Sequence, residues 1–264
     1  MASKSFGLEL AEVASRQAQE IRRALERTRD RHLAVHEARK AIRRLRGTLD
    51  LGRRVFGAKF DAIDRSLDRL ADGLSPLRDA QVVVETASRL ASDHPAYWKE
   101  VSGQLRQRRD LLLDAALSRD PDFSKRRART NRMARVIADL PWTDLTKKAV
   151  RNSVLHSLQR LEKAKAAAQA EGSPAHLHRW RKRVRRLRLQ LETLDGVEAL
   201  ADWKGLEAVK RKVRSTRSLC RLADKLGWRQ DLQILRSSIR HAGNPALAKQ
   251  LRSDIDQEIG QVKL

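Results

Sequence analysis

Residues 36–46 read HEARKAIRRLR and residues 178–188 read HRWRKRVRRLR, identical at seven of eleven positions across a constant offset of 142. On a helix advancing about 100° per residue, His36, Arg39, Lys40 and Arg43 fall within an arc of about 100°. Arg44 and Arg46 flank that arc, and Ala38, Ile42, Leu45 and Leu49 occupy the opposite face, which is the arrangement of a surface helix packed on a core. The second copy repeats it in register. His178, Arg181, Lys182 and Arg185 form the stripe, with Val184, Leu187 and Leu191 behind it. Like charges one turn apart weaken their own helix, so the pattern calls for an anion laid along it. Arginine can grip phosphate oxygens bidentately, and imidazole adds a donor whose charge responds to pH near neutrality.

Working outward, LSPLRDAQVV (74–83) matches LGWRQDLQIL (226–235) more weakly, sharing Leu, Asp and Gln at an offset of 152. An insertion around Gly196–Gly205 accounts for the change of offset. The order of landmarks predicts two equivalent halves, about 1–140 and 141–264, packed as one unit of 264 residues. Helical spacing of apolar residues continues along the chain, as in Leu8, Val13, Ile21 and Leu25, and no period-two alternation is sustained. The fold class is therefore all-α. Gly73 followed by Ser75-Pro76, and Gly172 followed by Ser173-Pro174, read as a helix stop, an N-cap and a proline at the first helical position. Further breaks are expected near Asp30, Gly57, Pro95, Pro121, Pro141, Gly196, Gly227 and Pro245.

Composition narrows the function. The chain has 57 Lys+Arg against 33 Asp+Glu, a formal net charge of +24, and a 41% apolar content that can bury a core. Such an excess of cations points to a polyanionic partner. Cys220 is the single cysteine, which excludes an intrachain disulfide framework, and it reads as a small buried hydrophobe. The opening MASKSFGLEL has no apolar signal core, and no apolar run reaches the roughly 20 residues of a membrane helix. A cytoplasmic, membrane-free protein is expected.

A solvated basic face is the plain alternative for one cationic stripe, but the return of His, Arg, Lys and three more Arg in one order disfavours it. A second series, Lys210, Arg214, Arg217 and Arg221, follows i, i+4, i+7, i+11, with Arg65 and Arg69 as counterparts in the first half. Asp61, Asp64, Asp68 and Asp72 dilute the first-half copy, where a salt-bridged surface helix and a site fit equally. Lys125–Arg135, with six basic residues and no acid, suits a contact face or a linker helix.

Enzyme chemistry is poorly represented. His32 and His36 stand at i, i+4, but position 174, the counterpart of His32, is proline and no third metal ligand is apparent. No HExxH, phosphate loop, dinucleotide turn or nucleophile elbow is present. Asp79 and Asp231 recur, and each suits a helix dipole or a neighbouring Arg.

The two copies of H-x-x-R-K-x-x-R-R-L-R, each followed by a basic helix and an L-x-x-x-x-D turn, resemble the CHAD family, the conserved histidine α-helical domain. The resemblance spans nearly the whole chain. It implies two pseudo-symmetric antiparallel helical bundles with a basic channel or groove between them, binding inorganic polyphosphate there without a cofactor or metal. The implied contacts are His36, Arg39, Lys40, Arg43 and Arg46 with His178, Arg181, Lys182, Arg185 and Arg188, joined by Arg65, Arg69, Arg217 and Arg221. The turns depart from the family pattern. Ser75 stands where glycine is usual, and Gln230 precedes the second Asp. Some members carry a triphosphate-tunnel barrel opening on an ExExK strand, which is absent here, so a stand-alone binding module at polyphosphate granules is implied. A nucleic-acid binder shares the electrostatic footprint and is the alternative, although Trp180 is the only aromatic residue inside a basic motif. A phosphoesterase or kinase acting on polyphosphate ranks behind both, for want of paired carboxylates. The cations around His36 and His178 are expected to push both imidazoles below the usual value of about 6.5.

Overall fold

The computed structural model describes residues 5–93, 97–200, 203–212, 216–239 and 245–262, and among them the secondary structure is entirely helical. The helices are α1 (Phe6–Glu26), α2 (Arg31–Leu51), α3 (Arg53–Asp93), α4 (Tyr97–Arg119), α5 (Ser124–Ala138), α6 (Lys147–Glu171), α7 (Pro174–Asp195), α8 (Lys204–Lys212), α9 (Thr216–Ser238) and α10 (Pro245–Gln261). Short 3-10 turns at Pro121–Phe123, Trp142–Asp144 and Glu198–Leu200 join some of them.

Local chemistry explains most boundaries. Asp30 caps α2 by accepting from the Leu33 amide at 2.8 Å. Gly172 ends α6 in the left-handed conformation, φ 62°, and Ser173 then caps α7 with Pro174 at its first turn. Gly57 lies inside α3 at φ 53° and ψ −131°, a conformation open to glycine, and bends that helix. The expected break at Pro95 lies outside the described residues.

Two expected breaks do not occur. α3 continues through Gly73, Ser75 and Pro76, and α9 continues through Gly227. Proline deprives the helix of one amide donor and disturbs the carbonyls of the preceding turn. The carbonyl that loses its partner is that of Asp72, and the carbonyls on either side of it take tertiary donors: Arg39 donates to Ala71 at 2.5 Å and Arg126 to Gly73 at 3.1 Å. Packing has overridden punctuation that would end an isolated helix.

α2 packs on α1 and α3, α7 packs on α6 and α9, and α2 and α7 meet each other. The apolar faces read from the sequence are buried, with Ala38, Ile42, Leu45, Leu49, Val184, Leu187 and Leu191 all at 1% exposure or less. One core joins the N-terminal part of α3 to α1, α2, α5, α6 and α7. A second joins the C-terminal part of α3 and α4 to α9 and α10, so each core draws on chain from both sides of residue 140. Asp254 ties α10 to α4 by accepting from Tyr97 Oη at 2.7 Å and from Trp98 Nε1 at 2.8 Å.

Candidate anion-binding groove

The seam between α2 and α7 is made by small and polar side chains. A Cβ on Gly47 would lie 3.2 Å from the Cβ of Leu189, its counterpart at the offset of 142, so glycine permits the close approach. Thr48 and Thr193 hydroxyls lie 3.2 Å apart, Gln190 donates to Asp50 at 3.2 Å, and Arg186 donates to the Arg46 carbonyl. This seam places the two cationic stripes beside each other.

Arg43 and Arg185 share its centre. Burial, then the charges of Arg39, Arg181, Arg78 and Arg188, push the Arg43 guanidinium down to about 10. Arg185 is pushed well below the ordinary arginine value by burial and then by Arg43, Arg181, Arg39 and Arg188. Among the described residues, no carboxylate lies within ion-pair distance of either. A cavity of about 330 Å³ opens beside them. Arg43 and Arg185 line it with Arg46 and Lys182 of the stripes and with Arg160, Arg179, Arg183 and Arg186, and Asp50, Asp64 and Asp68 stand on its wall.

Arg39 and Arg181 are held by the recurring L-x-x-x-x-D segments, which are not turns but helical stretches of α3 and α9. Arg39 donates to Ser75 Oγ at 2.6 Å, and Arg181 donates to Gln230 Oε1 at 2.9 Å with Asp231 at 3.8 Å. The residues that depart from the family pattern are therefore arginine positioners. At Gly227 a Cβ would lie 3.0 Å from an Arg181 guanidinium nitrogen, so α9 and this guanidinium approach closely there. Asp79 and Asp231 lie in the interiors of α3 and α9, too far from a helix start to serve the dipole. Burial pushes both carboxyls up against the pull of Arg39 and Arg78 on Asp79, and of Arg181 and Arg78 on Asp231.

The remaining expected contacts differ in availability. Arg46 is taken by acids: its guanidinium reaches Asp64 at 2.7 and 3.0 Å and also Asp68. Arg188 meets Glu192 at 3.0 Å and Cys220 Sγ at 3.8 Å, and that cysteine is half-buried instead of a core residue. Lys40 lies 3.5 Å from Glu37. Arg65, Arg69, Arg217 and Arg221 are exposed on α3 and α9. Arg214 lies outside the described residues, as does the side chain of Lys210. His32 is 3.2 Å from Asp110 of α4.

Both stripe histidines sit below the usual imidazole range, but the leading cause is burial. For His36 the next depressing charges are Arg78 and Arg43, opposed by Glu37 and Glu85. For His178 they are Lys182, Arg181 and Arg185, opposed by a hydrogen bond to Gln230.

Sequence reasoning passed over Arg78, whose charge acts on His36, Arg39 and Arg43 in one half and on Arg181 and Asp231 in the other. Its signal was its place before the recurring Asp79, masked because the second copy has Gln230 there. Arg179, Arg183 and Arg186 were legible as a further i, i+4, i+7 series, whereas nothing marked Arg160.

A family model for the CHAD domain matches residues 12–240. The crystal structure of the CHAD domain from the plant Ricinus communis superposes with a TM-score of 0.67 at 19% identity, covering 96% of this chain and 83% of that one. No curated protein matches.

Proposed function

Because the chain belongs to the CHAD family, which is linked to polyphosphate binding in general, we propose that it binds inorganic polyphosphate in the groove between α2 and α7, without turnover. The observation that carries this reading is that Arg43 and Arg185, two part-buried guanidiniums that repel each other, line one cavity, and among the described residues neither has a carboxylate at ion-pair distance. Such a pair stores unfavourable field that a chain of closely spaced phosphates relieves, and bidentate guanidinium contacts suit its oxygens. The meeting of Gly47 with Leu189 and of Arg43 with Arg185, each pair related by the offset of 142, supports two equivalent halves around one shared channel. The proposal extends to recruitment of the chain to cytoplasmic polyphosphate granules through the same contacts. Among the described residues no helix is long and apolar enough to cross a membrane.

Nucleic acid is the weaker reading, because Trp180 is buried at 5% exposure and cannot stack on a base. The test is competition at fixed, moderate salt between long-chain polyphosphate and duplex DNA at equal phosphate concentration. Polyphosphate should win, and tighter binding of DNA overturns the proposal.

Proton linkage gives an independent check. In the free protein both imidazoles lie below the usual value of about 6.5. Bound phosphate favours imidazolium and raises them, so binding takes up protons. Affinity should rise as pH falls from the bound-state value towards the free-state value, and should be flat above both. Titration calorimetry in buffers of different ionisation enthalpy should report this uptake, and a His36→Gln/His178→Gln variant should abolish it. Uptake that persists in the variant assigns the protons elsewhere.

A further inference from the structure

Arg78, whose charge reaches both stripes, carries a carboxylate of its own from the same face of α3. Its Nη1 lies 3.2 Å from Glu85 Oε1 and 3.1 Å from Oε2, two helical turns away on α3. Glu85 is in turn oriented by Gln81, which donates to it at 3.0 Å, and Gln81 is fixed by Arg109 of α4, donating at 3.1 Å. The carboxylate is thus held on the guanidinium by a chain of contacts that reaches into the next helix. The Arg78 side chain is 19% exposed and that of Glu85 50%, so the anion sits on the solvent side of the pair, where an incoming ligand arrives.

The surroundings define what Glu85 does there. From α2, His36, Arg39 and Arg43 feel the charge of Arg78, as do Arg181 of α7, Asp231 of α9 and Asp79 of α3 itself. Arg78 therefore belongs electrostatically to both stripes. The second copy lacks the arrangement altogether: at the offset of 152, Gln230 stands for Arg78 and Ser237 for Glu85, while Gln233 retains the position of Gln81. The additional cation and the additional anion occur together in the first copy, and both are missing from the second.

We propose that Glu85 is an internal competitor for Arg78, a tethered carboxylate that any phosphate engaging Arg78 must displace, and that it sets the affinity threshold of the groove. The inference rests on the polyphosphate reading above. A ligand with a single phosphate exchanges one anionic contact for another at Arg78 and gains little. A long chain bears the same exchange while drawing on Arg43, Arg185 and the rest of the stripes, so it remains in its binding range. Because Glu85 is half exposed, displacement costs only a few-fold in affinity, which makes Glu85 a tuning residue and not a lock.

The test compares long-chain polyphosphate and inorganic triphosphate on the full chain, by calorimetry at fixed salt. Glu85→Gln keeps the side-chain shape and removes the charge; Glu85→Ser copies the second half. Both should tighten polyphosphate about threefold to fivefold, and should tighten triphosphate by a similar factor. Arg78→Gln should weaken polyphosphate about tenfold, and in that background Glu85→Gln should have no further effect. Glu26→Gln, which removes a carboxylate on α1 paired with Arg22, controls for net charge and should change affinity little. A gain that survives in the Arg78→Gln background, that Glu26→Gln reproduces, or that fails to appear while the native chain binds polyphosphate overturns the competitor role alone. Failure of the native chain to bind polyphosphate overturns the proposed function and this inference together.

Discussion

Replacing Arg43 and Arg185 together by Met should weaken long-chain polyphosphate about a hundredfold or more and, without anion, raise the thermal midpoint. The two effects have one origin. Each guanidinium is part-buried, depressed by burial first and then by other cations, and lacks a described carboxylate partner. Charge-assisted contacts contribute about 1.5–3 kcal/mol each, so losing two removes about 3–6 kcal/mol of binding. In the free protein the same charges oppose the fold, and an apolar chain of similar length relieves desolvation and repulsion by about 1–3 kcal/mol. In a protein of this size each kcal/mol shifts the midpoint by about 2–4 °C. Arg43→Lys/Arg185→Lys should fall between, since the charge stays but the planar fork is lost. Thermal melts with and without polyphosphate, together with direct titration, check both signs. A Met variant that loses stability as well as binding would show that these arginines hold the fold together, and unchanged binding would remove them from the groove.

What the sequence made legible was whatever a helix reports about itself. The buried face of α2 and α7 and the Gly172, Ser173, Pro174 boundary follow from local periodicity and local capping, and they stand in the structure. Partners contributed by other helices were not legible. Pro76 reads as a helix start until Arg39 and Arg126 are seen supplying donors to the carbonyls around it. Asp64 and Asp68 were read as diluting Arg65 and Arg69 on their own helix, yet both point to Arg46 of α2. Arg46 and Arg188 are equivalent in the repeat and look alike in sequence. The difference between them lies on the partner helices, where the positions of Asp64 and Asp68 correspond to Thr216 and Cys220.

That difference carries a prediction about salt. Each phosphate neutralised by a free cation releases condensed counterions, so affinity falls steeply with salt, by about 10³-fold between 50 and 200 mM for six or more contacts. The native chain should show such a slope. Arg46, already neutralised by Asp64 and Asp68, should contribute little to it, while Arg188, with Glu192 alone beside it, should contribute more. Asp64→Asn/Asp68→Asn releases Arg46 into the cavity it lines. The variant should therefore bind polyphosphate about tenfold tighter at low salt, with a slope steeper by about one. Arg188→Met should make the slope shallower by about one, and Arg46→Met should weaken binding with a smaller change in slope, because it leaves two carboxylates uncompensated at the cavity wall. The measurement is a series of titrations from low to moderate salt, read as the logarithm of affinity against the logarithm of salt concentration. If freeing Arg46 leaves the slope unchanged, the bound chain does not reach the Asp64 and Asp68 wall of the cavity, and contact is confined to its Arg43 and Arg185 side and to Arg39 and Arg181 beyond.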